Sequence, residues 1–203
     1  MTSKVEICNQ ALIEAKYDET IESLDENSVA AERCKRLYDV CRKEILSTYP
    51  WAFATRFVKV ARIGEDIDGY KYVYSYPKDC LRITGLFRDE SDYKVSRFRP
   101  RVLEQMRVIS FNGTKGIACN EETPFVEYIY NEELEVNYPP LFVRLLYLEM
   151  AVRLAKLSGA DRDDIKFIVA QALEAANMAK TQSVGEDDNH LRLEDNYYID
   201  VRA

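Results

Sequence analysis

Hydrophobic positions along this chain recur first every three or four residues, then every second residue, then every three or four again. Ser3-x-x-Glu6 has the form of a capping box, and Val5, Cys8, Leu12 and Ala15 follow at helical spacing, which predicts a first helix over about residues 3–16. Leu24 and the cap candidates Asp25, Asn27 and Ser28 precede a second apolar stripe: Ala30, Cys34, Leu37, Tyr38, Cys41, Ile45 and Tyr49. Charged residues, Asp39, Arg42, Lys43 and Glu44 among them, flank it, and Pro50 stops it by pushing the preceding residue out of the helical region. From Trp51 to about Asn137 the period is two. Tyr70, Tyr72, Tyr74 and Tyr76 alternate with Lys71, Val73 and Ser75, and Leu81, Ile83 and Phe87 alternate with Arg82, Thr84 and Arg88. Met106–Phe111, Asn112-Gly113 and Ile117–Cys119 read as a hairpin, and Phe125–Tyr130 as a further strand.

Helical spacing returns after Pro139-Pro140 in Phe142, Leu145, Leu146, Met150, Leu154 and Leu157, and Gly159 stands where a C-cap belongs. Asp161 then caps a last helix whose predicted apolar face is Ile165, Ile168, Val169, Ala172, Leu173 and Ala176. The end of the chain reads as a polar linker followed by a short alternating segment. The expected fold class is α+β. Residues 1–50 and 138–182 form an antiparallel bundle of about four helices, residues 51–137 an inserted antiparallel β region, and residues 183–203 an extended C-terminal tail.

Composition changes this picture in three ways. Fourteen tyrosines among 203 residues suit surfaces that become buried against another protein. A net charge of −7 argues against general adhesion to the DNA backbone, although a channel through which DNA must slide benefits from repelling it. Five cysteines (Cys8, Cys34, Cys41, Cys80, Cys119) with no C-x-x-C read as reduced core thiols. No apolar run approaches the roughly 20 residues that span a bilayer, and the N-terminus lacks a signal-peptide core, so the chain is expected to remain in the cytosol where it is made, with no membrane partner.

Candidate chemistry is sparse. The sole histidine, His190, falls in the predicted tail linker, and Gly113-Thr114-Lys115-Gly116 lacks the order of a phosphate loop and reads as a turn. Glu186-Asp187-Asp188 lacks the spacing of a calcium loop. No catalytic residue, cofactor or metal site is expected, and the chain reads as a non-enzyme. Three features bear on binding instead. Tyr70, Tyr72, Tyr74 and Tyr76 place rings on one strand face, either as packing on their own sheet or as a contact surface. Arg97, Arg99 and Arg101 would be aimed together by an extended backbone, either to protect an edge strand or to meet a partner. Leu191, Leu193, Tyr197, Tyr198, Ile199 and Val201 are too apolar for a spacer and suit a segment that adds to a neighbour.

Three separated stretches carry a resemblance. Leu37-Tyr38-Asp39, Arg42 and Tyr49-Pro50-Trp51-Ala52-Phe53-Ala54 come first; Tyr76-Pro77-Lys78-Asp79-Cys80-Leu81-Arg82 and Pro139-Pro140-Leu141-Phe142-Val143 follow in the same order. Together they resemble the head-to-tail adaptors of short-tailed bacteriophages, the tail tubular protein A family, over roughly residues 5 to 180. The resemblance implies a structural virion protein of the neck, assembled in the host cytoplasm. It would be a ring, a dodecamer, between the portal protein and the tail nozzle protein, with genomic DNA passing through its channel without sequence-specific binding. On this reading the tail residues from Leu191 to Val201 dock on the portal. Tyr70, Tyr72, Tyr74, Arg97, Arg99 and Arg101 meet the nozzle or a neighbouring subunit, and Pro50, Trp51, Phe53 and Phe57 form the junction between bundle and β region. The alternatives are a tail-associated cell-wall hydrolase and a host-directed binding module using the Arg97–Arg101 strip on nucleic acid.

Overall fold

The computed structural model describes residues 3–67, 69–88, 90 and 105–200, with side chains to residue 186. The chain divides into two compact units, Met1–Phe53 with Glu132–Ala203, and Ala54–Asn131.

The first unit contains four helices. Helix α1, Lys4–Glu14, starts at the Ser3/Glu6 capping box, in which the Ser3 hydroxyl accepts from the Glu6 N–H at 3.2 Å and the Ser3 N–H donates to the Glu6 carboxylate at 2.7 Å. Helix α2, Val29–Thr48, is capped by Ser28, whose hydroxyl accepts from the Ala31 N–H. Helix α3, Pro140–Ser158, opens on proline and closes on Gly159 at φ +77°, a left-handed position where a β-carbon is disfavoured. Helix α4 spans Arg162–Asp200.

These helices are not a bundle with inserted strands, which corrects the expected fold class. The stripe of α3 is buried on several sides at once (Phe142, Leu145, Leu146, Leu148, Met150, Ala151, Leu154, Ala155), and α1, α2 and α4 each pack chiefly on α3, with α1 also touching α2. The apolar circumference of α3 explains this, because a helix buried on several sides takes the other three around it as a central element. The expected extended tail is corrected too: residues 183–200 continue α4 as helix.

The second unit is built from two antiparallel sheets. Strands β1 (Thr55–Lys59), β7 (Phe125–Tyr130) and β4 (Cys80–Phe87) form one in the order β1-β7-β4. Strands β2 (Arg62–Ile67), β3 (Tyr70–Ser75), β6 (Thr114–Cys119) and β5 (Met106–Phe111) form the other in the order β2-β3-β6-β5. The turn between β5 and β6 uses Asn112 at φ +50° and Gly113 at φ +78°, which sets the register Phe111↔Thr114. One core joins the two sheets, with Tyr74, Ile117 and Cys119 from the four-stranded sheet against Leu86, Val126 and Tyr128 from the three-stranded one.

Candidate functional site

In the helical unit a clamp of polar side chains joins α2 to the segment that leads into α3. Tyr38 and Arg42 stand one turn apart on α2 and are each 2% exposed. Arg42 Nη1 donates to the Glu132 carbonyl and Nη2 to Asp39 Oδ1 at 3.3 Å. The Tyr138 hydroxyl donates to the same Glu132 carbonyl at 2.9 Å, and the Tyr38 hydroxyl donates to Glu135 Oε1 at 3.0 Å. The Glu132 carboxylate accepts from the Leu134 N–H at 3.0 Å and from Asn137 Nδ2 at 2.7 Å, closing residues 132–138 on themselves around a 3-10 turn at Glu135–Asn137.

Burial raises both phenols. Tyr138 is pushed up to about 12 by burial, with Arg42 opposing the shift, and Tyr38 rises further through burial and the neighbouring Tyr138 and Glu135. Both stay protonated donors near neutrality. Arg42 Nε is buried with no hydrogen-bond partner among the described residues, so the guanidinium is incompletely satisfied and its main effect is to fix geometry.

Beside the clamp lies an aromatic cluster. Trp51 is 1% exposed, packs edge-on to Phe142 at 5.3 Å and to Tyr49 at 5.2 Å, and donates from Nε1 to the Ile45 carbonyl at 3.0 Å, satisfying the open end of α2. Phe53 meets Phe142 at 4.9 Å, and Tyr138 meets it at 5.2 Å. The Ala52 N–H donates to Ser183 Oγ at 2.9 Å, tying the chain after Pro50 to α4. The void left among Trp51, Phe53, Pro139, Phe142, Ala179 and Ser183 is about 10 Å³, the lower limit for a single water. An open hollow of about 360 Å³ lies at the loop Leu24–Val29 with Glu32 and Lys35; Lys35 there pairs with Asp25 at 2.6 Å.

In the β unit the tyrosine row is engaged internally. Tyr74 is 1% exposed, and its hydroxyl donates to the Glu121 and Glu122 carbonyls at 2.7 Å, which corrects its expected place on a contact surface. Tyr70 and Tyr72 are half-buried; the Arg62 guanidinium lies 4.0 Å over the Tyr72 ring, and Lys115 lies 5.3 Å over that of Tyr76. Asp79 organises the end of the three-stranded sheet. Its carboxylate takes Arg56 at 2.5 Å and the Tyr128 hydroxyl at 3.1 Å, its carbonyl accepts from the Asn131 N–H at 2.8 Å, and Arg56 stacks 3.6 Å over Tyr130.

Of the expected junction residues, Trp51 and Phe53 come together in the helical unit and Pro50 is exposed at its surface. Phe57 packs in the β unit against Phe87 at 5.8 Å and Phe125 at 5.0 Å. Arg97, Arg99 and Arg101 lie outside the described residues. Leu191, Leu193, Tyr197, Tyr198 and Ile199 belong to α4 with their side chains outside the description, and Val201 lies beyond it. Sequence reasoning placed Arg42 on the charged flank of α2 and missed its burial. The available signal was its position one turn after Tyr38 and directly after Cys41, within the apolar arc.

All five cysteines are free, and four are buried. Burial pushes the Cys41 thiol up to about 11. Among the described residues no group of three or more His, Cys, Asp or Glu is placed to hold a metal ion, and no helix is long and apolar enough to cross a membrane. No protein-family model matches the chain, and no curated protein matches it.

Proposed function

We propose that this protein is a structural adaptor of the head-to-tail adaptor class, a ring-forming virion component that fastens a portal to a tail nozzle and surrounds the path of the genome. One observation carries the reading. Two stretches of the resemblance, far apart in sequence, form one physical device: Tyr38 and Arg42 hold the segment before Pro139-Pro140, and Trp51 and Phe53 pack on Phe142 directly after it. The shared residues thus serve geometry. A part whose work is mechanical requires that, because the free energy of gripping two partners is transmitted only through elements that do not yield.

The portal-facing element is the end of α4. Ser183 lies beside Ala52 near the start of α3, so the helix beyond it runs past α3 by about 25 Å at 1.5 Å per residue. A chain ending at residue 183 keeps the Ala52–Ser183 hydrogen bond and the buried Ile168, Ala172, Ala175 and Ala179. It is expected to melt like the full chain and to lose attachment to portal rings in pull-down. Retained attachment would count against the assignment. The β unit faces the nozzle, and the net charge of −7 keeps passing DNA from adhering.

A further inference from the structure

Helices α1 and α2 meet along a seam of small side chains. Cys8 and Ala11 of α1 and Ala30, Ala31 and Cys34 of α2 are at most 3% exposed, and side chains of that size let two helix backbones approach closely. The two helices run antiparallel. Lys4 at the start of α1 lies 5.0 Å over the Tyr38 ring of α2, and the Tyr17 hydroxyl, just past the end of α1, accepts from Arg33 nearer the start of α2. Cys8 stands one turn after Lys4, and Cys34 stands one turn before Tyr38, so the antiparallel register sets the two thiols opposite each other.

The two thiols are hydrogen-bonded to each other. That bond holds the Cys8 proton more tightly and the Cys34 proton less tightly than in a free thiol, and burial raises Cys8 further. Cys41 is not an equivalent partner for Cys34. It lies seven residues further along α2, a rise of about 10 Å, with Arg153, Glu44 and Glu149 as its charged neighbours. Cys80 and Cys119 belong to the β unit.

We infer that Cys8 and Cys34 form a redox staple: they stay thiols in a reducing medium and close to a disulfide between α1 and α2 when a small-molecule disulfide is supplied. Cys34, as thiolate, attacks the small disulfide, forms a mixed disulfide and releases one small thiol. Cys8 then attacks the Cys34 sulfur and releases the second. The protein pair loses two electrons and two protons, and the small disulfide that takes them is reduced to two thiols. Both sulfurs are 0% exposed, so the reaction waits on local opening of α1, the shortest of the four helices. In a cytosol the glutathione pool keeps such a pair open, and in oxidising surroundings it closes. The staple holds α1 to α2 whether or not the protein is an adaptor.

The test incubates the folded full chain with oxidised glutathione until its count of free thiols stops changing, alkylates the remaining thiols in denaturant and maps the peptides by mass spectrometry. A peptide joining Cys8 to Cys34 is expected, with Cys41 and Cys119 recovered alkylated; a glutathione adduct on half-buried Cys80 leaves that readout intact. The linked chain is expected to unfold at higher urea than the reduced one, by about 1 M, and dithiothreitol should return it to the reduced midpoint. Cys34→Ala, which continues the alanines at positions 30 and 31, is expected to lose both the cross-link and the shift. Cys8 and Cys34 both recovered as free thiols, either of them joined to a different cysteine, or a linked chain no more stable than the reduced one would overturn the inference.

Discussion

At the scale of single residues, the clamp and the tryptophan decide how rigid the helical unit is. Arg42→Ala removes a buried guanidinium and one of two donors to the Glu132 carbonyl, so a loss of about 3 kcal/mol is expected in denaturant unfolding. Arg42→Lys keeps the charge but not the fork and should recover only part of it. Trp51→Ala opens a cavity where packing is nearly void-free and should cost about 3–5 kcal/mol. Buried thiols and phenols give the alkaline limit a definite sign. Cys41, raised to about 11, and Tyr138, raised to about 12, stay protonated in the folded state while the unfolded chain ionises. Their stabilisation is complete below the unfolded values near 8.5 and 10, and it is lost as pH rises toward the folded values, by about 1.4 kcal/mol per pH unit for each group. Unfolding midpoints measured from pH 7 to 11 should therefore be flat at first and fall steadily above about pH 9.

At the scale of elements, local signals were legible wherever a few neighbouring residues decide the outcome. The capping box at Ser3, the proline opening of α3, the left-handed Gly159 and the Asn112-Gly113 turn all appear at the expected residues, because each satisfies backbone groups or torsions within one turn. Gly113→Ala should cost about 1 kcal/mol in thermal unfolding, because alanine disfavours the positive φ held there. The short strands β1 and β2 were not separated in the sequence, since their pairing depends on partners elsewhere in the chain, β7 for one and β3 for the other. The buried face of α4 was read correctly at Ile168 and Ala172 and misread at Val169 and Leu173. Spacing alone favours Val169 and Leu173, but small side chains at Ala172, Ala175 and Ala179 let α3 approach on the adjacent side. Its C-terminal extent was misread as well, because a polar composition after residue 183 does not itself end a helix that lacks proline.

At the scale of the molecule, an antiparallel bundle was the natural reading of four amphipathic stretches, but stripe spacing carries no information about which helix lies at the centre. That depends on α3 being apolar nearly all round, a property of its whole circumference. The chemistry of the clamp was legible as a motif and illegible as a contact, since Arg42 meets Glu132 across 90 residues of sequence. What emerges is a protein whose buried polar groups fix angles, with exposed apolar surfaces carried on rigid supports. The proposal that it fastens a portal to a tail is tested most directly by electron microscopy of the purified full chain mixed with portal rings of a short-tailed bacteriophage. The account predicts an added ring of density stacked coaxially on one end of the portal, with an open axial channel. Portal rings that stay bare at saturating concentrations of the chain would contradict it.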